Sequence, residues 1–223
     1  MSVLIAIEGI DGSGKGTQAL RLHEHLIACG KRSALLSFPR YQNTAFGRQI
    51  GDFLNGKFGS LDAVHPLLVS LLFAGDRFES QQLIQSSLAE NDVVICDRYI
   101  ASNIAHQGAK ACGDERQQLI DWIQHLEGSI YELPRPQLTL FLDVPVANAQ
   151  QLIATKTRRS YTDKSADLQE ADGQYLEKVR EVYLQLATAH DWARISCVSG
   201  AIVRPIEEIT AEIVRVVKSV VGI

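Results

Sequence analysis

The apolar run Val3-Leu4-Ile5-Ala6-Ile7 leads directly into Glu8-Gly9-Ile10-Asp11-Gly12-Ser13-Gly14-Lys15-Gly16-Thr17. A glycine, four residues and then glycine-lysine is the spacing of a loop that cradles phosphates between a buried strand and a helix. Few short patterns restrict a fold so much, because the loop works only when its amides converge on one anion. Glycine permits positive φ and lets a phosphate approach with no Cβ in the way. Successive N–H groups then close round anionic oxygens, and the positive end of the next helix points at the same place. The sequence supplies that helix: Leu20, His23, Leu26 and Ile27 recur at helical spacing, and Gly30 fits a C-terminal stop. Gly9, Ile10, Asp11, Gly12, Ser13, Gly14, Lys15, Gly16 and Thr17 are therefore expected to hold a nucleoside triphosphate, with Lys15 reaching its β and γ phosphates. The motif departs from its common form at one position. The residue after the lysine is Gly16 rather than Ser or Thr, and Thr17 follows.

Further β-rich runs recur along the chain: Val3–Glu8, Ser33–Phe38, Asp92–Asp97, Gln137–Asp143 and Arg194–Ser199. Segments with helical periodicity, among them Pro66 to Ser87 and Leu168 to Ala189, separate most of them. Strand and helix in alternation predict an α/β fold with a parallel sheet covered on both faces. Near-continuous apolar strands such as Val93-Val94-Ile95 suit burial on both sides. No repeat, low-complexity tract or linker divides the 223 residues, so residues 1–223 are expected to form one domain. Ile206, Ile209, Ile213, Val216, Val217 and Val220 have the spacing of a helix packed on the core.

A net charge of −4 argues against a general nucleic-acid binder, which carries a basic face. Cys29, Cys96, Cys112 and Cys197 are scattered with no zinc-site spacing, which suits a reduced, cytoplasmic setting with Cys96 and Cys197 buried. His23 and His25 point to different helix faces and make no metal site. The N-terminus shows no signal-peptide pattern and no apolar run is long enough to span a membrane.

In a parallel sheet, ligands bind beyond the carboxyl ends of the strands. That rule selects Asp11 to Thr17, Phe38 to Tyr41, Asp97 to Tyr99 and the segment after Asp143. At the second of these ends, Pro39 fixes the exit of the chain and Arg40 can grip a phosphate with paired hydrogen bonds. At the third, Val93-Val94-Ile95-Cys96-Asp97 places a carboxylate where it can hold Mg²⁺ directly or through water, and Arg98 is a second phosphate ligand. Two arginines and a lysine at neighbouring strand ends suit more negative charge than one nucleotide carries, hence a phosphorylated acceptor beside the donor. Phe73 and Arg77, four apart on a predicted helix, share a face and could hold a base. Residues Ala154 to Ala166 include Lys156, Arg158, Arg159 and Lys164, the composition of a basic lid over a phosphoryl-transfer site.

Together these motifs resemble the thymidylate kinases, which are P-loop nucleoside monophosphate kinases. The resemblance covers nearly the whole chain in the right order: the P-loop with Asp11 inside it, Phe38-Pro39-Arg40, the Phe73 and Arg77 pair, Asp97-Arg98-Tyr99 followed by Ser102 and Gln107, and the acids Asp167 and Glu170. It implies a P-loop NTPase-type three-layer fold with a five-stranded parallel sheet flanked by helices, a short lid at about 154–167, and a homodimer packed through helices. It also implies transfer of the γ-phosphoryl group of ATP to dTMP, with Mg²⁺. By resemblance Lys15 binds ATP phosphates, while Arg40 and Arg98 hold the acceptor phosphate in catalytic positions. Phe73 stacks on the base and Arg77 hydrogen-bonds it, and Asp11 sits near the 3′-hydroxyl. Ser102, Asn103, His106 and Gln107 line the base and sugar pocket, with Phe38, Pro39 and Tyr41 at its edge. Glu170 lies near the sugar or the metal, so that Asp97, Asp11 and Glu170 are the candidate metal contacts. Some members carry a catalytic arginine inside the P-loop; Ile10, Asp11, Gly12 and Ser13 include none, so that role falls to Arg158 or Arg159.

Three residues depart from the family pattern. Gly16 cannot ligate a metal through a side chain, His106 stands where Tyr is frequent, and Gln169 replaces an aromatic or branched residue. Gly-Lys-Gly-Thr is similar to adenylate kinases, but there an Asp-Gly pair precedes Phe-Pro-Arg, and here Ser37 does. A kinase for dUMP, UMP or AMP is the near alternative. A deoxynucleoside kinase would need a base where this chain has Arg40. A GTPase switch would need an Asn-Lys-x-Asp motif, whereas the fourth strand ends Leu142-Asp143-Val144-Pro145.

Overall fold

The first strand, β1 (Val3–Glu8), is buried from Leu4 onward and lies at the centre of a five-stranded sheet. The computed structural model describes residues 2–154, 168–169 and 172–222. After β1 come α1 (Lys15–Ala28), β2 (Ser33–Ser37), α2 (Ala45–Leu54), α3 (Pro66–Glu79), α4 (Gln81–Glu90) and β3 (Val93–Asp97). Next are α5 (Ile100–Gly108), α6 (Gly113–His125), a π-helical turn (Leu126–Ile130), β4 (Leu138–Asp143) and α7 (Val146–Ala154). The chain ends with α8 (Gly173–Leu186), β5 (Trp192–Ser196), a small hairpin of β6 (Val198–Ser199) and β7 (Ile202–Val203), and α9 (Ile206–Val221).

The sheet order is β2-β3-β1-β4-β5 and every pairing is parallel. Register places Ile7 beside Asp97 and Glu8 beside Phe141, so β1 and β3 end side by side, at Glu8 and Asp97, while β4 runs two residues further, to Asp143. Because side chains alternate along a strand, Ile5, Ile7, Val93 and Ile95 face one way and meet Leu22 and Leu26 of α1, with α9 alongside. Leu4, Ala6, Val94 and Cys96 face the other way, against Ile84 of α4 and Leu133. On that second face Tyr183 of α8 stacks on Phe141 at 5.3 Å between ring centroids. The helix–sheet–helix sandwich expected from the alternation is the one observed. Cys96 and Cys197 are buried thiols, while Cys29 and Cys112 are exposed.

Boundaries moved where side chains or Pro intervened. β2 ends at Ser37 rather than Phe38, since Pro39 has no N–H with which to continue the ladder. β5 begins at Trp192, where Trp192 pairs with Thr139, and ends at Ser196. The single helix expected over Pro66 to Ser87 is two helices broken at Ser80, whose hydroxyl donates to Asp76 O at 2.8 Å. Such local bonding competes with the helical ladder. The helix expected over Leu168 to Ala189 is α8, which starts at Gly173 rather than Leu168, because Asp172 caps it by accepting from Tyr175 N at 3.0 Å.

Candidate active site

The phosphate loop joins β1 to α1 through two glycines that no other residue could replace without strain. Gly12 has φ 83° and packs against α7 so closely that a Cβ would lie 2.3 Å from Ala149 O. Gly14 caps α1 in the left-handed region, at φ 84° and ψ 14°. Lys15 is buried and its Nζ donates to Gly9 O at 2.9 Å, Ile10 O at 2.8 Å and Ser13 Oγ at 3.4 Å. The ammonium is thus held against the loop's own carbonyls and the Ser13 hydroxyl, within the loop.

Asp97 ends β3 on the sheet face that looks toward α1. A Cβ on Gly16 would stand 3.1 Å from Asp97 Oδ2, so the loop residue and the carboxylate are in contact. Arg98 follows with φ 66°, a conformation that costs a non-glycine residue free energy and is concentrated at functional sites. Its backbone N–H donates to Ile7 O at 3.0 Å, which continues the sheet while the side chain turns into the site. The guanidinium donates to Asp11 of the phosphate loop, to Ser102 Oγ at 3.3 Å, and lies 3.5 Å from His106 Nε2. Burial alone would lower the Arg98 pKa, but the carboxylate of Asp11 outweighs it and the pKa is raised. Arg98 is therefore a fixed cation between the donor loop and α5.

The helix α5 carries Ser102, Asn103, His106 and Gln107, and a buried carboxylate from another element sets its start. Glu8, at the end of β1, accepts from Tyr99 N at 2.7 Å, Ser102 N at 3.2 Å, Ser102 Oγ at 2.6 Å and Tyr183 Oη at 2.9 Å. Tyr99 offers no side-chain cap of its own, so Glu8 supplies the negative charge that a helix N-terminus favours. His106 is neutral. Burial pushes its pKa down to about 3, and Arg98 adds to the effect. Its hydrogen bonds fix the tautomer. Tyr175 Oη donates to His106 O at 2.9 Å, so at 3.0 Å it accepts from Nδ1–H, and Nε2 faces Arg98 as an acceptor.

Phe73 and Arg77 lie one turn apart on α3, as their spacing predicts, and both line the cavity. Arg77 is buried and held by Glu127 of the π-helical turn, through Nε at 2.5 Å and Nη2 at 2.7 Å. Both amide atoms of Gln107 are buried with no hydrogen-bond partner among the described residues, although Gln107 lines the cavity. Buried polar atoms seldom stay unpaired, and an amide aimed at a cavity points to a ligand there.

One cavity of about 430 Å³ joins these groups. It is lined by Asp11, Lys15 and Thr17 of the loop, Phe38, Pro39 and Tyr41 after β2, Asp97 and Arg98 after β3, and Phe73, Arg77, His106 and Gln107. Arg40 does not line it. Its Nη1 donates to Ser80 Oγ at 3.2 Å and its N–H to Asp76 Oδ2 at 2.9 Å, beside a shallower hollow at the β2 edge. Asn103 lies buried behind the wall. At the fourth strand end, the carboxylate of Asp143 is closed by Arg180 at 2.7 Å and Arg194 at 2.6 Å rather than open to a ligand. Arg158, Arg159 and Glu170, and nearly all of the lid segment, lie outside the described residues. Glu8, Asp76 and Glu127 escaped sequence reasoning. Only Glu127 left a signal, an acid four residues after Ile123 on the apolar face of α6. No group of three or more His, Cys, Asp or Glu that could hold a metal ion occurs among the described residues, and no described helix is long and apolar enough to cross a membrane.

A triphosphate loop that shares a cavity with a second cation and a base-sized slot defines a P-loop phosphotransferase acting between two nucleotides. The thymidylate kinase family model matches residues 7–213. A thymidylate kinase of Mycobacterium tuberculosis is 34% identical over 203 residues, covering 91% of this chain and 94% of that one. A probable thymidylate kinase of Thermococcus onnurineus is 36% identical over 198 residues, covering 86% and 88%. The solved thymidylate kinase of Candida albicans superposes with a TM-score of 0.74 at 28% identity, over 98% of this chain and 92% of that one. The chain belongs to the thymidylate kinase family.

Proposed function

We propose that this chain, as one kinase domain, transfers the γ-phosphoryl group of ATP to dTMP, giving ADP and dTDP. The observation that carries this reading is the shared cavity in which Arg98, fixed by Asp11, stands between the phosphate loop and the slot of Phe73, Arg77 and Gln107. The loop amides and Lys15 bind the ATP phosphates. Arg98 holds the acceptor phosphate, and Arg40 joins it by exchanging Ser80 for a phosphate oxygen. Phe73 stacks on thymine, Arg77 and Gln107 meet its polar edge, and Asp11, Ser102 and His106 surround the deoxyribose.

The nucleophile is already a phosphate oxygen, so no strong base is required; positioning and charge stabilisation supply the acceleration. Mg²⁺ bound with ATP would neutralise charge on the β and γ oxygens. Asp97 fits the metal, directly or through water, because its carboxylate closes on Gly16 of the loop. Thr17 offers its hydroxyl to a phosphate. Arg158 or Arg159 supplies the transition-state cation that the loop lacks.

The enzyme works in the cytoplasm, in keeping with four free cysteines. It works as a homodimer. Leu68 and Phe78 on α3 and Ile130 beside it are 54%, 49% and 54% exposed, an apolar face suited to a second copy. The test of the reaction is dTDP formation from dTMP and ATP, matched mole for mole by ADP and lost in Lys15→Ala.

A further inference from the structure

Arg77 is among the largest fully buried side chains, and a cation without a partner is rarely tolerated there. Its partner comes from far along the chain. The apolar face of α6 presents Leu119, Ile120 and Ile123, and continues through Leu126 to Glu127. A carboxylate thus occupies a core position. The backbone relaxes at that point into a π-helical turn, with Tyr131 N donating to Leu126 O at 2.8 Å. Such turns are rare and often occur at functional sites.

Glu127 binds two side chains from two different helices. It accepts from Arg77 Nε and Nη2 on α3, and its Oε1 accepts from Asn103 Nδ2 on α5 at 2.9 Å. Asn103 Nδ2 also donates to Ser70 O at 3.0 Å. The amide of Asn103 has one admissible orientation, since turning it over would set its oxygen against two acceptors. Oδ1 then remains buried with no hydrogen-bond partner among the described residues. The two-point grip on Arg77 is equally restrictive, leaving Nη1 as the nitrogen that Glu127 does not engage.

We propose that Glu127 is a positioning residue for the acceptor base, acting through Arg77 rather than on the substrate. One carboxylate fixes the plane of a guanidinium and the polarity of an amide. The base slot therefore keeps a donor of Arg77 at a fixed place and angle. A ring with a carbonyl at its edge accepts from that donor, while a ring with an amino group there meets a second donor. Glu127 in this way holds in place the donor by which Arg77 prefers a 4-oxo over a 4-amino pyrimidine, without touching either. The inference rests on the reading of the cavity as the site of dTMP phosphorylation.

Glu127→Gln tests it, because the amide keeps the size but places an N–H₂ against Arg77. The KM for dTMP is expected to rise about tenfold or more, as loss of a hydrogen bond to a charged group implies. The KM for ATP should stay within twofold, and the ratio of kcat/KM for dTMP over dCMP should fall. In an Arg77→Ala background, Glu127→Gln should add little to the KM for dTMP, because the residue acts through Arg77. Glu127→Asp retains the charge and should give an intermediate KM, which keeps the test open if Glu127→Gln folds poorly by circular dichroism. An unchanged KM for dTMP in both variants, or equal rises for ATP and dTMP, contradicts the inference while leaving the reaction intact. A wild type that does not phosphorylate dTMP contradicts the reading of the reaction and this inference with it.

Discussion

Gly16 and Asp97 stand in contact, so close that a Cβ on the glycine would lie 3.1 Å from Oδ2 of the carboxylate. A side chain at this second position of α1 would crowd the acid that ends β3. The glycine that departs from the common phosphate-loop form therefore lets the loop and the carboxylate approach. Gly16→Ala should push Asp97 outward by a few tenths of an ångström and raise the Mg²⁺ concentration for half-maximal activity by about tenfold, the scale of outer-contact effects on metal sites. Melting temperature should hold or rise, since Ala exceeds Gly in helix propensity by about 1 kcal/mol. A Mg²⁺ titration of activity beside a thermal melt checks both halves.

Arg98 touches the donor loop through Asp11 and the acceptor helix through Ser102. Lysine cannot reproduce that fork of donors. Arg98→Lys should lower kcat/KM for dTMP by about 10²-fold, from lost hydrogen bonds to charged groups of about 1.5–3 kcal/mol. The KM for ATP should change little. Steady-state kinetics with each substrate varied in turn would show the asymmetry, and equal losses for both would argue against Arg98 as an acceptor-side group.

His106 should stay neutral throughout the working range, because burial holds its pKa near 3. The pH profile of kcat/KM between pH 5 and 8 should be the same in wild type and His106→Gln. Stability, by contrast, should depend on pH differently in the two proteins. The unfolded chain protonates this histidine near its ordinary value of about 6.5, but the folded chain does so only near 3. Unfolded molecules then bind more protons across that window, and the folded state loses stability as pH falls from about 6.5 to 3. Relative to His106→Gln, wild type should lose stability on the order of a few kcal/mol at most over that range. Denaturant unfolding at pH 7, 5 and 4 measures the difference.

Much of the fold was legible because its signals are local. The glycine spacing and the apolar strands needed no knowledge of what they would touch, and the strand ends at Asp11, Phe38 and Asp97 do gather round one cavity. What could not be read depends on partners distant in sequence. Glu8 looked like the first residue of the loop, yet it caps α5 more than ninety residues later. Glu127 is separated from Arg77 by fifty residues. The break at Ser80 was hidden because Ser is compatible with a helix until its hydroxyl finds Asp76 O. Arg40 shows the converse: its place after β2 was legible, but the tie to Ser80 that leaves it outside the cavity lining was not.

With no basic side chain between Gly9 and Gly14, the loop brings one cation of its own, Lys15. The lid arginines should carry the remaining stabilisation of the moving phosphoryl group. Arg158→Ala or Arg159→Ala should lower kcat by about 10³-fold, the typical scale for such an arginine, with little change in the KM for dTMP. Single-turnover measurements would separate this from slowed product release. Near-normal kcat in both variants would remove the catalytic role from the lid.

The central claim is that one cavity seats ATP and thymidine monophosphate together. ADP formation from ATP and Mg²⁺ with dTMP, dUMP, UMP, CMP, AMP and GMP as separate acceptors, with thymidine as a further acceptor, tests it most directly. The account predicts the highest kcat/KM with dTMP and no turnover of thymidine. Equal or better turnover of AMP or UMP, or phosphorylation of thymidine without that of dTMP, would contradict it.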